Sequence, residues 1–363
     1  MRSLVISLAL VIAACTPRGA MVLVDGVADS AEVLPIYFAT TRTADETGLD
    51  VYGGGRSAAS TYGRFDVSVP QDRVAGDITY PTTEPDLATD FVATDRYGYS
   101  TPEVFRNELR QQLRARPDRS VIIYVHGFNT KFGEGMMRLA QLSHDLDLPG
   151  IGVHYSWPSI GNPLGYSYDH DSVLFARDGL QELLEQIDAA GADDVILVGH
   201  SIGALLVMEA LRQIEIQTPG RASRIVDGVV LISPDVDIEL FRKQVDRIGT
   251  LPDPFVIFHS RRDRLLALSA GLTGQAERLG NIRDVERVAD LNVTLFDVSE
   301  FGRGTHHFTV GNSPALLAVL GRVSDVDSAF QADLTSRVGL FPGTVLTLRN
   351  ATQIILSPIT ILP

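Results

Sequence analysis

The chain has one cysteine, Cys15, and no Cys-x-x-Cys pair. A redox dithiol or a thiolate zinc site has no residues to build it. His-Glu-x-x-His is absent as well, so the helical zinc-protease motif is missing. No metal and no cofactor are expected. Basic residues are few: 31 Lys and Arg stand against 45 Asp and Glu, a net charge of −14. Such a chain is repelled by phosphate backbones, and nucleic acid is not an expected partner. No apolar run is long enough for a spanning helix. The final segment, Gly339–Pro363, is interrupted by Pro342, Asn350, Gln353 and Pro358. No repeat of fixed period is visible. What remains is a 363-residue chain, 45% apolar and 21% charged, able to bury a large core.

The position of the lone cysteine is informative. Met1-Arg2-Ser3 supplies a positive start, and Leu4 to Ala14 is an apolar run of signal-peptide length. It ends Ile12-Ala13-Ala14-Cys15, which resembles the lipobox of bacterial lipoproteins. That resemblance implies cleavage before Cys15 and acylation of its sulfur. Several acyl chains on one residue suffice for stable membrane anchoring. By resemblance to enteric lipoproteins, Thr16 in place of an aspartate favours sorting to the periplasmic face of the outer membrane over inner-membrane retention. The expected organisation is a signal peptide over 1–14, a linker over 15–33, a main domain over 34–325 and an extension over 326–363. The extension reads as a hairpin, Val345–Leu348 and Gln353–Leu356 around Arg349-Asn350.

From Leu34 onward the chain is punctuated regularly. Pro35–Arg42 and Tyr62–Pro70 read as strands, with 43–61 between them as a long loop around Gly53-Gly54-Gly55. Thr101–Arg116 carries Val104, Phe105, Leu109 and Leu113 at helical spacing, with Pro102 in its first turn. Apolar strands then alternate with helices. The strands are Ser120–Val125, Ile151–Trp157, Val195–Val198, Ile225–Ile232, Pro254–Ser260 and Leu291–Val298. The helices are Gly133–Leu146, Asp169–Ala190, a helix after Ser201, Ile238–Ile248 and Pro314–Arg322. This alternation predicts an α/β fold with a mostly parallel central sheet and helices on both faces. Ligands in such sheets bind at the carboxyl ends of the strands. His126, Ser201, Asp235, Asp263 and the histidines after Val298 all follow strand ends.

The centre of the pattern is Val195-Ile196-Leu197-Val198-Gly199-His200-Ser201-Ile202-Gly203-Ala204. Strand, Gly-x-Ser-x-Gly, helix is a nucleophile elbow, the hallmark of the α/β-hydrolase fold. A serine hydroxyl needs a base, and the base needs an orienting acid. In that layout the chain order is Ser, then acid, then His. Asp263, after the strand Phe255–Ser260, is the expected acid, with Asp235 the alternative. The base lies in Gly302-Arg303-Gly304-Thr305-His306-His307-Phe308, where two adjacent histidines compete. Oxyanion donors are expected from the backbone amides of Phe128, in His126-Gly127-Phe128, and of Ile202. His154 and His259 read as satisfied core groups. The loop from Ser233 to Ile238 is too short for a helical lid, so 157–168 and 265–281 are expected to shape access.

Several motifs together resemble one family. They are Ile36–Arg42, Tyr62-Gly63-Arg64, Val125–Thr130, Tyr155–Ser159, Gly199–Gly203, Ser233–Asp237 and Arg262–Leu266. The chain is identified as similar to bacterial α/β-hydrolases of unknown function within the esterase/lipase superfamily, over about Leu34–Arg322. In that family the histidine precedes a small or polar residue, an aromatic, and an Asn near a Pro. His306-His307-Phe308 with Asn312 and Pro314 matches when His306 is the base. The resemblance implies a serine hydrolase but no specific substrate; the leading reading is an esterase or lipase-like hydrolase of carboxylic esters, small or lipid-like, acting through Ser201, His306 and Asp263. An acyltransferase or thioesterase using the same acyl-enzyme is the alternative, and a non-catalytic binding protein a third reading. Neither substrate nor oligomeric state is specified by these residues.

Overall fold

The computed structural model describes residues 19–47, 50–81, 84–301, 307–314, 316–317, 343–348 and 351–356. In chain order the strands are β1 (Glu32–Ala44), β2 (Tyr52–Val69), β3 (Val92–Tyr99), β4 (Ser120–Val125), β5 (Ile151–Ser156), β6 (Asp194–His200), β7 (Gly228–Ile232), β8 (Phe255–His259), β9 (Thr294–Asp297), β10 (Gly343–Leu348) and β11 (Ala351–Leu356). The helices are α1 (Pro102–Arg114), α2 (Phe132–Asp145), α3 (Tyr166–Phe175), α4 (Arg177–Ala190), α5 (Ile202–Gln217), α6 (Ala222–Ile225), α7 (Ile238–Ile248), α8 (Arg264–Leu272) and α9 (Thr309–Asn312).

Among the described residues all strands join one sheet, in the order β10-β11-β9-β8-β7-β6-β4-β5-β1-β2-β3. Every neighbouring pair from β11 to β1 is parallel. Antiparallel pairing is confined to β1–β2–β3 at one edge and β10–β11 at the other. The central strands β4, β7 and β8 are buried along their whole length, as a sheet covered on both faces demands. The architecture is the expected α/β-hydrolase fold. The C-terminal hairpin forms, and β11 extends the sheet beyond β9.

Local sequence explains most helix boundaries. Thr101 caps α1 by accepting from the Val104 amide, with Pro102 in the first turn. α1 buries Phe105, Leu109 and Leu113, while Val104 is exposed. α4 ends on Gly191, whose φ of 89° is the left-handed conformation a glycine cap adopts. Asp237 caps α7 through the Leu240 amide.

Three features differ from the expected pattern. The stretch 43–61 is mostly strand: β2 starts at Tyr52 and runs through all three glycines. Gly54 and Gly55 serve close approach, to Ile160 and Thr43, while Gly53 has room for a Cβ. A Cβ on Gly54 would sit 2.7 Å from the Ile160 Cα. Strand β3, with its polar exposed face, has no counterpart in the pattern reading. The helix expected over Asp169–Ala190 begins earlier and is two helices meeting at Ala176. Most of the helix expected at Pro314–Arg322 lies outside the described residues, as do Cys15 and the signal segment.

The N-terminal strands are joined to the parallel sheet by an aromatic cluster. The Phe132 ring, on α2, lies 5.1 Å from Phe38, 4.8 Å from Tyr52 and 6.1 Å from Phe65. All four side chains are buried. Phe132→Ala should therefore lower the unfolding free energy by about 3–5 kcal/mol, read as a lower urea midpoint at unchanged slope.

Candidate active site

The turn from β6 to α5 holds Ser201 at φ 54° and ψ −125°. This strained backbone needs reinforcement from outside the turn. The end of β7 supplies it. The Ser201 amide donates to the Ile232 carbonyl at 3.0 Å, and the Ser201 carbonyl accepts from the Asp235 amide at 3.0 Å. Close packing dictates the motif's glycines. A Cβ on Gly203 would overlap the His126 carbonyl and lie 2.7 Å from that of Val125. A Cβ on Gly199 would lie 2.9 Å from the Ala204 Cα. Opposite the serine, a Cβ on Gly127 would be 2.9 Å from the Ser201 Cβ. The His126-Gly127-Phe128 loop thus lies directly over the elbow. Ile202 opens α5, where a first-turn amide has no intrahelical acceptor.

Asp263 follows β8 and caps α8. Its Oδ1 accepts from the Leu266 amide at 3.0 Å. Its Oδ2 lies 2.8 Å from His307 Nδ1. The carboxylate is buried. Accepting on Oδ2, it places the proton on Nδ1 and leaves the lone pair on Nε2. His307 packs 5.1 Å from the ring of His200, next to the serine. The histidine that meets Asp263 is thus His307, one of the two left open by chain order. His306, singled out by family resemblance, lies outside the described residues.

Asp235 has a different task. It accepts from Ser269 Oγ at 2.7 Å and from Tyr166 OH at 2.9 Å, and it pairs with Arg278 Nε at 3.1 Å. Tyr166 packs edge-on to Phe128 at 5.5 Å. Burial and the Asp235 charge push its phenol up to about 12. Among the described residues no histidine contacts the Asp235 carboxylate; its partners tie α3 and α8 to the loop after β7.

The loop carrying Phe128 is held from behind by Arg42, a fully buried guanidinium at the end of β1. Nε donates to Ser156 Oγ at 2.9 Å. Nη1 donates to the carbonyls of Gly53 at 3.0 Å and Ser159 at 2.8 Å. Nη2 donates to the Thr130 carbonyl at 2.8 Å and meets His126 Nε2 at 3.3 Å. Four of the five N–H groups donate to oxygens, and the fifth faces His126 Nε2, which accepts it when the imidazole proton sits on Nδ1 toward the Gly127 carbonyl at 2.9 Å. Burial pulls the guanidinium down to about 10, opposed by the charges of Asp50 and Asp169. Burial, then Arg42, drives His126 well below the usual imidazole range, so it is neutral. Trp157 stacks on His126 at 4.6 Å and donates Nε1–H to its carbonyl at 2.7 Å. Asp169 closes the other side. Its carboxylate accepts from Ser159 Oγ at 2.6 Å and from the amides of Asn129 at 3.1 Å and Ile160 at 2.8 Å. Burial raises its pKa.

The roles of Arg42, Asp169 and Tyr166 escaped the sequence reading. One signal was available: an arginine ending the apolar strand Ile36–Thr41, where a buried charge demands partners. His154 is partly satisfied, with Nδ1 3.1 Å from the Tyr124 carbonyl. His259 departs from expectation: both of its nitrogens are buried without a hydrogen-bond partner. Burial pulls it down to about 4, so it is neutral.

The topology and the elbow define an α/β hydrolase. The chain belongs to the family described as alpha/beta hydrolase of unknown function (DUF900), whose model matches residues 101–322. No curated protein matches it. Among solved structures it is similar to lipase B of Aspergillus fumigatus, at 17% identity and a TM-score of 0.30, over 45% of this chain and 43% of that one. It is similar to the Trichoderma reesei cutinase bound to a phosphonate inhibitor, at 14% identity and TM-score 0.24, over 38% of this chain and 67% of that one. It is also similar to esterases of Rhizomucor miehei, at 13% identity and TM-score 0.36, over 83% and 87%. The chain thus spans less than half the length of the lipase.

Arg42→Met should cost about 3 kcal/mol or more in urea unfolding, because several buried acceptors lose their donor at once. Arg42→Lys should recover only part of this, since an ammonium has three donors and no planar fork.

Proposed function

We propose that this protein is a serine hydrolase of carboxylic esters. The contact between His307 Nδ1 and Asp263 Oδ2, 2.8 Å long beside the Gly-x-Ser-x-Gly elbow, carries this reading. His307 is the base in this reading, in place of His306. Its Nε2 takes the Ser201 proton as Oγ attacks the ester carbonyl carbon. The amides of Phe128 and Ile202 receive the oxyanion, a contribution of roughly 10²–10³ in rate per donor. The C–O bond to the alcohol then breaks, and the alcohol leaves with the proton held on His307. Water, deprotonated by the same nitrogen, attacks the acyl carbon; the bond to Oγ breaks, His307 returns the proton to Ser201, and the acid leaves. Arg42 and Asp169 keep the Phe128 loop in place throughout.

A fluorophosphonate probe should label Ser201 and not Ser201→Ala. Asp263→Asn should cut kcat by roughly 10⁴, through the wrong imidazole tautomer. His307→Ala should lose comparable activity, with His306→Ala and Asp235→Asn far milder. Esterase kinetics on a soluble short-chain ester check the ranking, and the opposite order for the two histidines would return the base to His306.

We also infer that the enzyme is held in the bacterial envelope, at the periplasmic face of the outer membrane, by lipid on Cys15. Support comes from Ile12-Ala13-Ala14-Cys15 after a short apolar run. Mass spectrometry of the mature N-terminus should find a diacylglyceryl Cys15. An unmodified Thr16 or Met21 start would refute the anchor.

A further inference from the structure

Large exposed apolar side chains gather around the mouth of the site. Helix α8, which starts at the residue after Asp263, turns Leu265, Leu268 and Leu272 to solvent, 44%, 61% and 67% exposed. Their spacing puts them on one stripe, while Leu266, Ser269 and Ala270 face inward. The segment after β5 exposes Ile160 at 46% and Leu164 at 93%. Two hydrogen-bonded and packed contacts bring these segments to one rim. Tyr166 OH lies 2.8 Å from Ser269 Oγ on the inner side of α8, and the Tyr166 ring packs on Phe128 of the oxyanion loop.

The rim is also uncharged. In a chain with a net charge of −14, neither 157–168 nor 265–276 contains a single Asp, Glu, Lys or Arg. Three arginines flank it. Arg261 and Arg262 pair with Asp297 at 3.1 Å and Glu300 at 3.0 Å, yet their side chains stay 50% and 55% exposed. Arg264, at the first position of α8, is exposed as well. Apolar side chains that enter an acyl layer, bordered by guanidinium groups at headgroup depth, make the pattern of an interfacial surface. Among the described residues no helix is long and apolar enough to cross a membrane, so contact through this rim is peripheral.

We propose that the rim formed by Ile160, Leu164, Leu265, Leu268 and Leu272 docks the active-site mouth onto a lipid surface. The substrate is then an ester drawn from that surface with its acyl chain already out of water. This rests on the ester-hydrolase reading for the substrate and on the rim alone for the docking. The two are tested separately with the full chain, using vesicles of phosphatidylcholine and phosphatidylglycerol.

Docking is read without catalysis. In a Cys15→Ser background an environment-sensitive fluorophore is placed on Ala267→Cys, an exposed position beside the stripe. Its emission should shift to the blue on adding vesicles, and Leu164→Gln/Leu268→Gln/Leu272→Gln should abolish the shift. Activity is then compared for the wild-type chain and the triple variant. On a soluble butyrate ester the two should agree within about twofold, because none of the three leucines is buried. On a long-chain ester carried in the vesicles the variant should lose about tenfold or more, from the apolar area it no longer buries. An unshifted fluorophore, or equal activity of both proteins on the vesicle ester, overturns the docking. So does a wild-type dimer that the triple variant converts to monomer, since the rim would then cover a second copy. Equal loss on both esters overturns it too, by making the leucines part of the site's packing. A wild-type chain inactive on every ester, with the shift intact, overturns the hydrolase reading and leaves the docking standing.

Discussion

The Arg42 guanidinium is the contact on which the site's geometry depends. A buried cation is costly unless every donor is used, and here every donor is. Its partners come from β2, from the end of β5, from the Ser159 turn and from the loop after β4. The sheet ladder aligns β1, β2 and β5, and the fork ties the two loops to them. Displacing any of them would strand a donor of a buried guanidinium. The fork thereby converts the cost of burial into specificity for one loop conformation. Asp169 supplies the opposite charge nearby and binds the same loop through its amides, so the loop is clamped from both sides.

The reacting end of the molecule uses the same economy of contacts. Ser201 sits on strained backbone that would relax if the turn stood alone. Two hydrogen bonds to the chain around β7 remove that freedom. Asp263 divides its oxygens between the first turn of α8 and His307. One carboxylate therefore fixes where a helix starts and how an imidazole points. Asp235, after the neighbouring strand, is occupied by Ser269, Tyr166 and Arg278. Two aspartates in similar places on adjacent loops thus have separate tasks, decided by which side chains reach them.

The apolar rim lies beyond these fixed parts. Tyr166 connects the two levels, with its hydroxyl in the Asp235–Ser269 network and its ring against Phe128. In the reading proposed above, whatever seats the leucines against a surface also seats them against the oxyanion loop. Positioning for chemistry and positioning for substrate delivery would share one tyrosine.

Much of this was legible in the residues taken one after another. Short continuous apolar runs such as Ser120–Val125 suit strands buried on both faces, and their alternation with helical segments predicts the parallel sheet. Gly199-His200-Ser201-Ile202-Gly203 between strand and helix marked the elbow, and Asp263 was reached by counting strands. Strand β2 was not legible across Gly53-Gly54-Gly55, because glycines that mark a turn and glycines that admit a neighbouring backbone look alike in sequence. The pairing of Asp263 with His307 was likewise hidden. Adjacent residues project differently from the same loop, and only the folded loop says which one meets a carboxylate 44 positions earlier in the chain. Arg42 shows the division most plainly. Local sequence set an arginine at the end of an apolar strand. Only the tertiary structure decided what would satisfy it, since its partners lie up to 117 positions away and meet only when the sheet is complete.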